Sequence, residues 1–184
     1  LEQLKKLHST IKAFDGEIVT ALKKDLGRSE FEAYGSEIGI IYEELDLISS
    51  NLANWMQPQS VPTPLAYQPS SSTIYPQPHG VVLIIAPWNY PFQLLLAPLV
   101  GAIAAGNCCV LKPSELASES AKIITKIIEQ TFAPEYCAVV NGGVEETSAL
   151  LRERFDHIFF TGSIPVGKVV MRAAAEHLTP VTLE

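Results

Sequence analysis

Between Val81 and Leu111 the 184-residue sequence has no Asp, Glu, Lys or Arg, a gap long enough to raise the question of a membrane span. Pro87, Asn89, Pro91, Pro98, Gly101 and Gly106 interrupt the run and would leave backbone groups unpaired in lipid, which excludes that reading. Cysteine is scarce. Cys108, Cys109 and Cys137 form neither an even-numbered disulfide framework nor a metal-ligand spacing, so they read as reduced, buried thiols. Clustered basic residues are missing as well. With 13 Lys and Arg against 20 Asp and Glu, a net charge of −7 and a pI near 5.1, the composition excludes nucleic acid and anionic membrane surfaces as partners. The opening LEQLKKLHST lacks the basic and apolar blocks of a secretion signal, which makes the expected location cytoplasmic. There is no initiator Met, which leaves room for residues upstream.

What is present is a chain that is 47% apolar, enough for one ordinary core. Leu4, Leu7, Ile11, Phe14, Ile18 and Leu22 recur at helical spacing and predict one amphipathic helix. Ile38, Ile41, Leu45, Ile48, Leu52 and Trp55 predict a second, and the two are expected to pair or to lie on a larger body. Between Pro58 and Pro78, six prolines and the run Ser70 to Ser72 rule out helix. That stretch is either a flexible linker or an extended arm whose segment Ser72 to Tyr75 pairs as an edge strand. Residues 1–57, 58–79 and 80–184 thus divide the chain into a helical part, an arm and a third region.

In that third region short apolar runs alternate four times with helical stretches: VVLIIA, CCVL, CAVV, HIFF and VTLE mark the strands. Such alternation predicts an α/β fold with a doubly wound parallel sheet, whose ligands bind in the loops at the carboxyl ends of the strands. The sequence's unusual residues fall in those loops. Pro87-Trp88-Asn89-Tyr90-Pro91 stiffens an amide that can donate to a developing oxyanion, and Asn89 reads equally as a cap of the following helix. Lys112-Pro113-Ser114-Glu115 offers a cation and a carboxylate suited to ribose hydroxyls, or a plain surface ion pair. Thr161 to Lys168 runs a glycine turn into a helix whose N-terminus can hold a phosphate. The G-x-G-x-x-G fingerprint is absent, while Gly162 to Lys168 matches the G-x-x-x-x-G-K core of a P-loop. Against that match, Val169 stands where a Mg²⁺-binding hydroxyl is required and Pro165 removes a donor. Glu184, at the tip of the last run, is a candidate base if half buried. None of the three cysteines has a His or Arg nearby in sequence to stabilise a thiolate.

Taken in order, PWNYP, LKPSE, FTGSIPVGK and LTPVTLE resemble the aldehyde dehydrogenase superfamily, and the last two stretches are most similar to its class 3 branch. The resemblance implies a Rossmann-like, variant dinucleotide-binding domain and NAD(P)-dependent oxidation of medium-chain, aromatic or fatty aldehydes to carboxylic acids through a cysteine thiohemiacetal and thioester. Carried over by position, it implies that Asn89 stabilises the oxyanion and that Glu184 activates water. By the same match Pro87 and Trp88 line the nicotinamide side, and Lys112 and Glu115 bind the adenosine ribose. Gly162, Ser163 and Gly167 then approach the pyrophosphate, with Val166 against the adenine. The cofactor is NAD or NADP. The family's chains are more than twice as long and carry the catalytic cysteine further on, so the 184-residue polypeptide alone is expected to be inactive. The arm is implied to belong to an oligomerisation sheet of a homodimer, and alone it would aggregate or keep the rest of the protein as a partner. The residues by themselves also leave open a non-catalytic dinucleotide-binding module and a P-loop nucleotidase.

Overall fold

The computed structural model describes residues 1–184. The first apolar stripe divides at Phe14 into two helices, α1 (Glu2–Ala13) and α2 (Asp15–Leu26), where the sequence pattern predicted one. Phe14 takes φ −101° and ψ 3°, its N–H closing α1 on Thr10 and Ile11 and its carbonyl opening α2 by accepting from Ile18. The bend has a packing reason. A straight helix over both segments would be about 37 Å long and would overshoot the 14-residue helix beneath it, about 21 Å. Bent, the two keep Leu4, Leu7 and Ile11 on one side and Ile18 and Leu22 on the other in the same core.

Gly27, at φ 69°, ends α2 in the left-handed conformation that glycine tolerates. Ser29 and Glu32 then form a capping box for α3 (Glu30–Ala33), which passes through a π-helical turn, Tyr34–Ile38, into α4 (Gly39–Trp55). The proline-rich stretch folds back on itself. β1 (Gln59–Val61) pairs antiparallel with β2 (Ser72–Ile74), Ser60 opposite Thr73, and one 3₁₀ turn at Leu65–Tyr67 lies between them. The segment is therefore an arm with its own short ribbon, and it contains a helical turn that the prolines were expected to forbid.

From Val81 onward strand and helix alternate as β3 (Val81–Ile85), α5 (Gln93–Ala104), β4 (Cys108–Lys112), α6 (Ser118–Thr131), β5 (Cys137–Val139), α7 (Val144–Leu150), β6 (His157–Phe160), α8 (Ile164–Ala175) and β7 (Val181–Leu183). All five strands are parallel, in the spatial order β5-β4-β3-β6-β7. The uncharged run from Val81 to Leu111 is thus strand, loop, helix and strand, and no helix is long and apolar enough to cross a membrane.

The sheet is covered on both faces, as the continuous apolar strands require. Val82 and Ile84 of β3 join α5, α6 and the amino-terminal helices in one large cluster, while Leu83 and Ile85 turn to the opposite face and meet Val170 and Ala174 of α8. The amino-terminal helices form a further layer outside α5 and α6. One of them also finishes a neighbour: Asp25 of α2 accepts from the Glu119 and Ser120 amides at 3.2 and 2.7 Å, capping α6, whose own N-cap residue is Ala117.

Candidate active site at the carboxyl edge of the sheet

The chain direction reverses at β3. Connections run outward through β4 to β5, then return to β6 on the other side. A crevice at such a switch point is where open α/β sheets bind ligands. Register fixes its floor: Ile85 lies opposite Lys112 on one side and Phe160 on the other, and Phe160 lies opposite Leu183. The loops leaving these strands therefore emerge side by side, and Asn89, Glu115, Gly162, Ser163 and Glu184, far apart in sequence, follow them at one edge.

The loop after β3 is held by residues that the local sequence does not reveal. Arg28, from the α2–α3 connection, donates through Nη2 to the Asn89 carbonyl at 2.5 Å, and its guanidinium carbon lies 4.3 Å from the centre of the Tyr90 ring. Through Nη1 it binds the Glu37 carboxylate and the Ser36 hydroxyl, the latter at 3.1 Å. Glu37 is fully buried, and its other oxygen accepts from the Phe92 and Gln93 amides at 2.8 and 3.2 Å. Glu37 thereby caps α5. Asn89 stands clear of the helix start, so it is not a cap. Its carbonyl is engaged, and its side chain is exposed. Trp88 beside it is half exposed, and Pro87 is partly buried.

The loop after β4 departs from a surface ion pair. Lys112 is buried, its side chain 2% exposed, and Nζ donates to the Pro113 carbonyl at 2.7 Å. Glu115 is half exposed and 3.9 Å away, a loose contact that leaves ammonium N–H groups free. Burial pulls the Lys112 pKa down, opposed by Glu115 and then Glu146. A buried cation with unused donors beside an open carboxylate can grip a vicinal diol, donating to one hydroxyl and accepting from the other. Pro113, Ser114, Glu115, Asn141 and Gly142 line a cleft of about 280 Å³ here. The far wall comes from the Asn141-Gly142-Gly143 turn that follows β5, residues the sequence reading did not single out.

After β6 the Gly162 N–H donates to the Glu184 carbonyl at 3.1 Å, tying two of the loops together. A Cβ on Gly162 would lie 2.6 Å from the Phe160 ring, so only glycine lets the turn lie flat here. Gly167 is buried in the first turns of α8, where a Cβ would make only ordinary contact with the same ring, at 3.6 Å. Ser163 is the exposed N-cap of α8 and Val166 stands half exposed in its first turn. The helix is already formed at Ile164, which places Lys168 a full turn inside it. A P-loop needs those residues as an open cradle around phosphate, so the nucleotidase reading fails on geometry. Thr161, passed over in the sequence, has a buried hydroxyl with no hydrogen-bond partner at the strand end.

Glu184 directly follows β7 and is exposed. It borders a groove of about 500 Å³ with Val82, Ile84, Gln93, Pro98 and Phe159. Burial pushes the Cys109 thiol up to about 12 and that of Cys137 higher still, so neither offers a thiolate at neutral pH.

The resemblance read from the loops is matched over the whole chain. The model of the aldehyde dehydrogenase family aligns with residues 1–184. The 4,4'-diaponeurosporen-aldehyde dehydrogenase of Staphylococcus aureus is 50% identical over 183 residues, covering 100% of this chain and 40% of that protein. Aldehyde dehydrogenase family 3 member A2 of Macaca fascicularis is 48% identical over 184 residues and is covered to 38%. A solved structure of Staphylococcus aureus AldH in a substrate-bound state superposes with a TM-score of 0.97 at 50% identity, over 100% of this chain and 40% of that one. The chain thus spans about two fifths of the length of these relatives. With its loops, its parallel sheet and its full length all matched, the chain belongs to the aldehyde dehydrogenase family.

Proposed function

We propose that the protein containing this chain oxidises aldehydes to carboxylic acids with a nicotinamide dinucleotide, NAD or NADP, and that residues 80–184 are the larger part of its dinucleotide-binding domain. The observation that carries this reading is the gathering of an uncommitted amide, a buried amine with free donors, a glycine turn and a carboxylate at one sheet edge. The residues fit the cofactor. Lys112 and Glu115 would hold its adenosine ribose, Gly162, Ser163 and Gly167 its pyrophosphate, Val166 its adenine side, and Pro87 and Trp88 its nicotinamide side. When bound, the nicotinamide supplies the acceptor for the hydride that leaves the aldehyde carbon.

In this reading a thiol from outside these residues adds to the aldehyde carbonyl, and the Asn89 side-chain amide donates a hydrogen bond to the oxyanion that forms. Loss of hydride leaves a thioester. Glu184 then takes a proton from water as that water attacks, and the thiol departs as the acid is released. The test is kcat/KM for a medium-chain or aromatic aldehyde, followed by the absorbance of the reduced cofactor in the complete protein. Asn89→Ala should lower it about 10²-fold or more, the usual loss for one oxyanion donor. A variant with the wild-type value would refute the assignment, and a wild-type protein that binds dinucleotide without oxidising any aldehyde would favour a bare binding module.

A further inference from the structure

We propose that Arg28 is a positioning residue for the Asn89 amide, an inference that rests on Asn89 being the oxyanion donor. Asn89 lies between Pro87 and Pro91 on an exposed loop, so its aim depends on what holds the backbone. One guanidinium, 61 residues earlier, holds it at several points. Nη2 takes the Asn89 carbonyl itself, the central guanidinium carbon sits over the Tyr90 ring, and Nη1 anchors the whole to Glu37. Glu37 in turn grips the first amides of α5 at Phe92 and Gln93, the far end of the same loop. The loop is therefore clamped on both sides of its second proline. A rigid fork that spans two acceptors is a geometry that Lys cannot reproduce.

The anchor is protected from solvent, and the grip on the loop is reachable from the site. Glu37 is fully buried and the Arg28 side chain is 16% exposed, so the pair has little freedom to drift. Tyr90, beneath the guanidinium, is 38% exposed. A shift of about 1 Å in a group that meets a reacting atom costs on the order of 10²-fold in rate. A broken clamp would therefore be felt at the Asn89 amide before it was felt in the fold.

A double-mutant cycle in the complete protein tests this. Arg28→Lys keeps a cation beside Glu37 but gives up the second arm to Asn89. It should lower kcat/KM for aldehyde by about tenfold to 10²-fold, with dinucleotide affinity, read from quenching of Trp88 fluorescence, unchanged within about twofold. Combined with Asn89→Ala it should cost nothing further, because a residue that acts through Asn89 has nothing left to position. Should Arg28→Lys not fold, Tyr90→Leu, which removes only the ring under the guanidinium, replaces it in the same cycle. A wild-type kcat/KM for the Arg28 or Tyr90 variant, or losses that multiply in the double variant, would overturn the inference while leaving Asn89 its role. An Asn89→Ala protein with wild-type kcat/KM would overturn both.

Discussion

Glu37 is an acid fully withdrawn from water inside a layer of helices. Burial pushes its carboxyl from the ordinary 4.5 up to about 6, although the Phe92 and Gln93 amides and Arg28 all pull the other way. A carboxyl raised in the folded state holds its proton more tightly there than in the unfolded chain. The stability it contributes is therefore complete below pH 4.5 and is lost as the pH rises through about 6. The size of that loss is about 2 kcal/mol by linkage. Thermal unfolding of the wild type and Glu37→Gln at pH 4.5 and at about pH 7 checks it. The wild type should lose stability relative to the variant across that interval, and parallel curves would contradict the prediction. His157 works in the opposite sense. Its pKa is lowered by burial and then by His79, stacked 5.1 Å away, so its contribution is present above its usual range and is lost on acidification.

Among the helices, α5 and α6 share a device. Neither supplies its own N-terminal cap, and each is capped by an acid from the amino-terminal layer, Glu37 for α5 and Asp25 for α6. A carboxylate at a helix N-terminus satisfies orphan amides and meets the positive end of the macrodipole. Asp25 also accepts from the Ser120 hydroxyl at 2.8 Å, and Ser120 is fully buried. Removing the carboxylate therefore strands a buried hydroxyl as well as two amides. Asp25→Ala should destabilise the protein by about 1–3 kcal/mol, more than an exposed cap would. Chemical denaturation measures this, and amide exchange should speed up first in the opening turn of α6. A loss no larger than that of a surface substitution would mean that water replaces the cap.

At the scale of the whole molecule, the arm is the part least covered by the other elements of residues 1–184. A two-stranded ribbon is marginal alone, and this one has unpaired outer edges and leaves Leu65, Tyr67, Ile74 and Tyr75 exposed. We propose that these edges join two copies of the complete protein. Replacing Ile74 and Tyr75 by Ser should halve the particle mass in light scattering, and an unchanged mass would assign the contact to another surface.

The order of strands and helices after Gly80 was legible in the residues themselves. Strands buried on both faces of a parallel sheet must be continuous apolar runs, and the loops that serve a ligand must follow them. That is why Asn89, Lys112, Glu115, Gly162 and Glu184 could be singled out before any contact was known. The break at Phe14 was not legible, because the stripe keeps its period across the bend. Nor were Arg28, Glu37 and Asp25, which look like ordinary surface charges. The backbone groups they hold lie between 55 and 95 residues away, and hydrogen bonds across such distances leave no periodicity in a chain. The burial of Lys112 was decided likewise by the layers that pack around it, a quantity that exists only once the chain has folded.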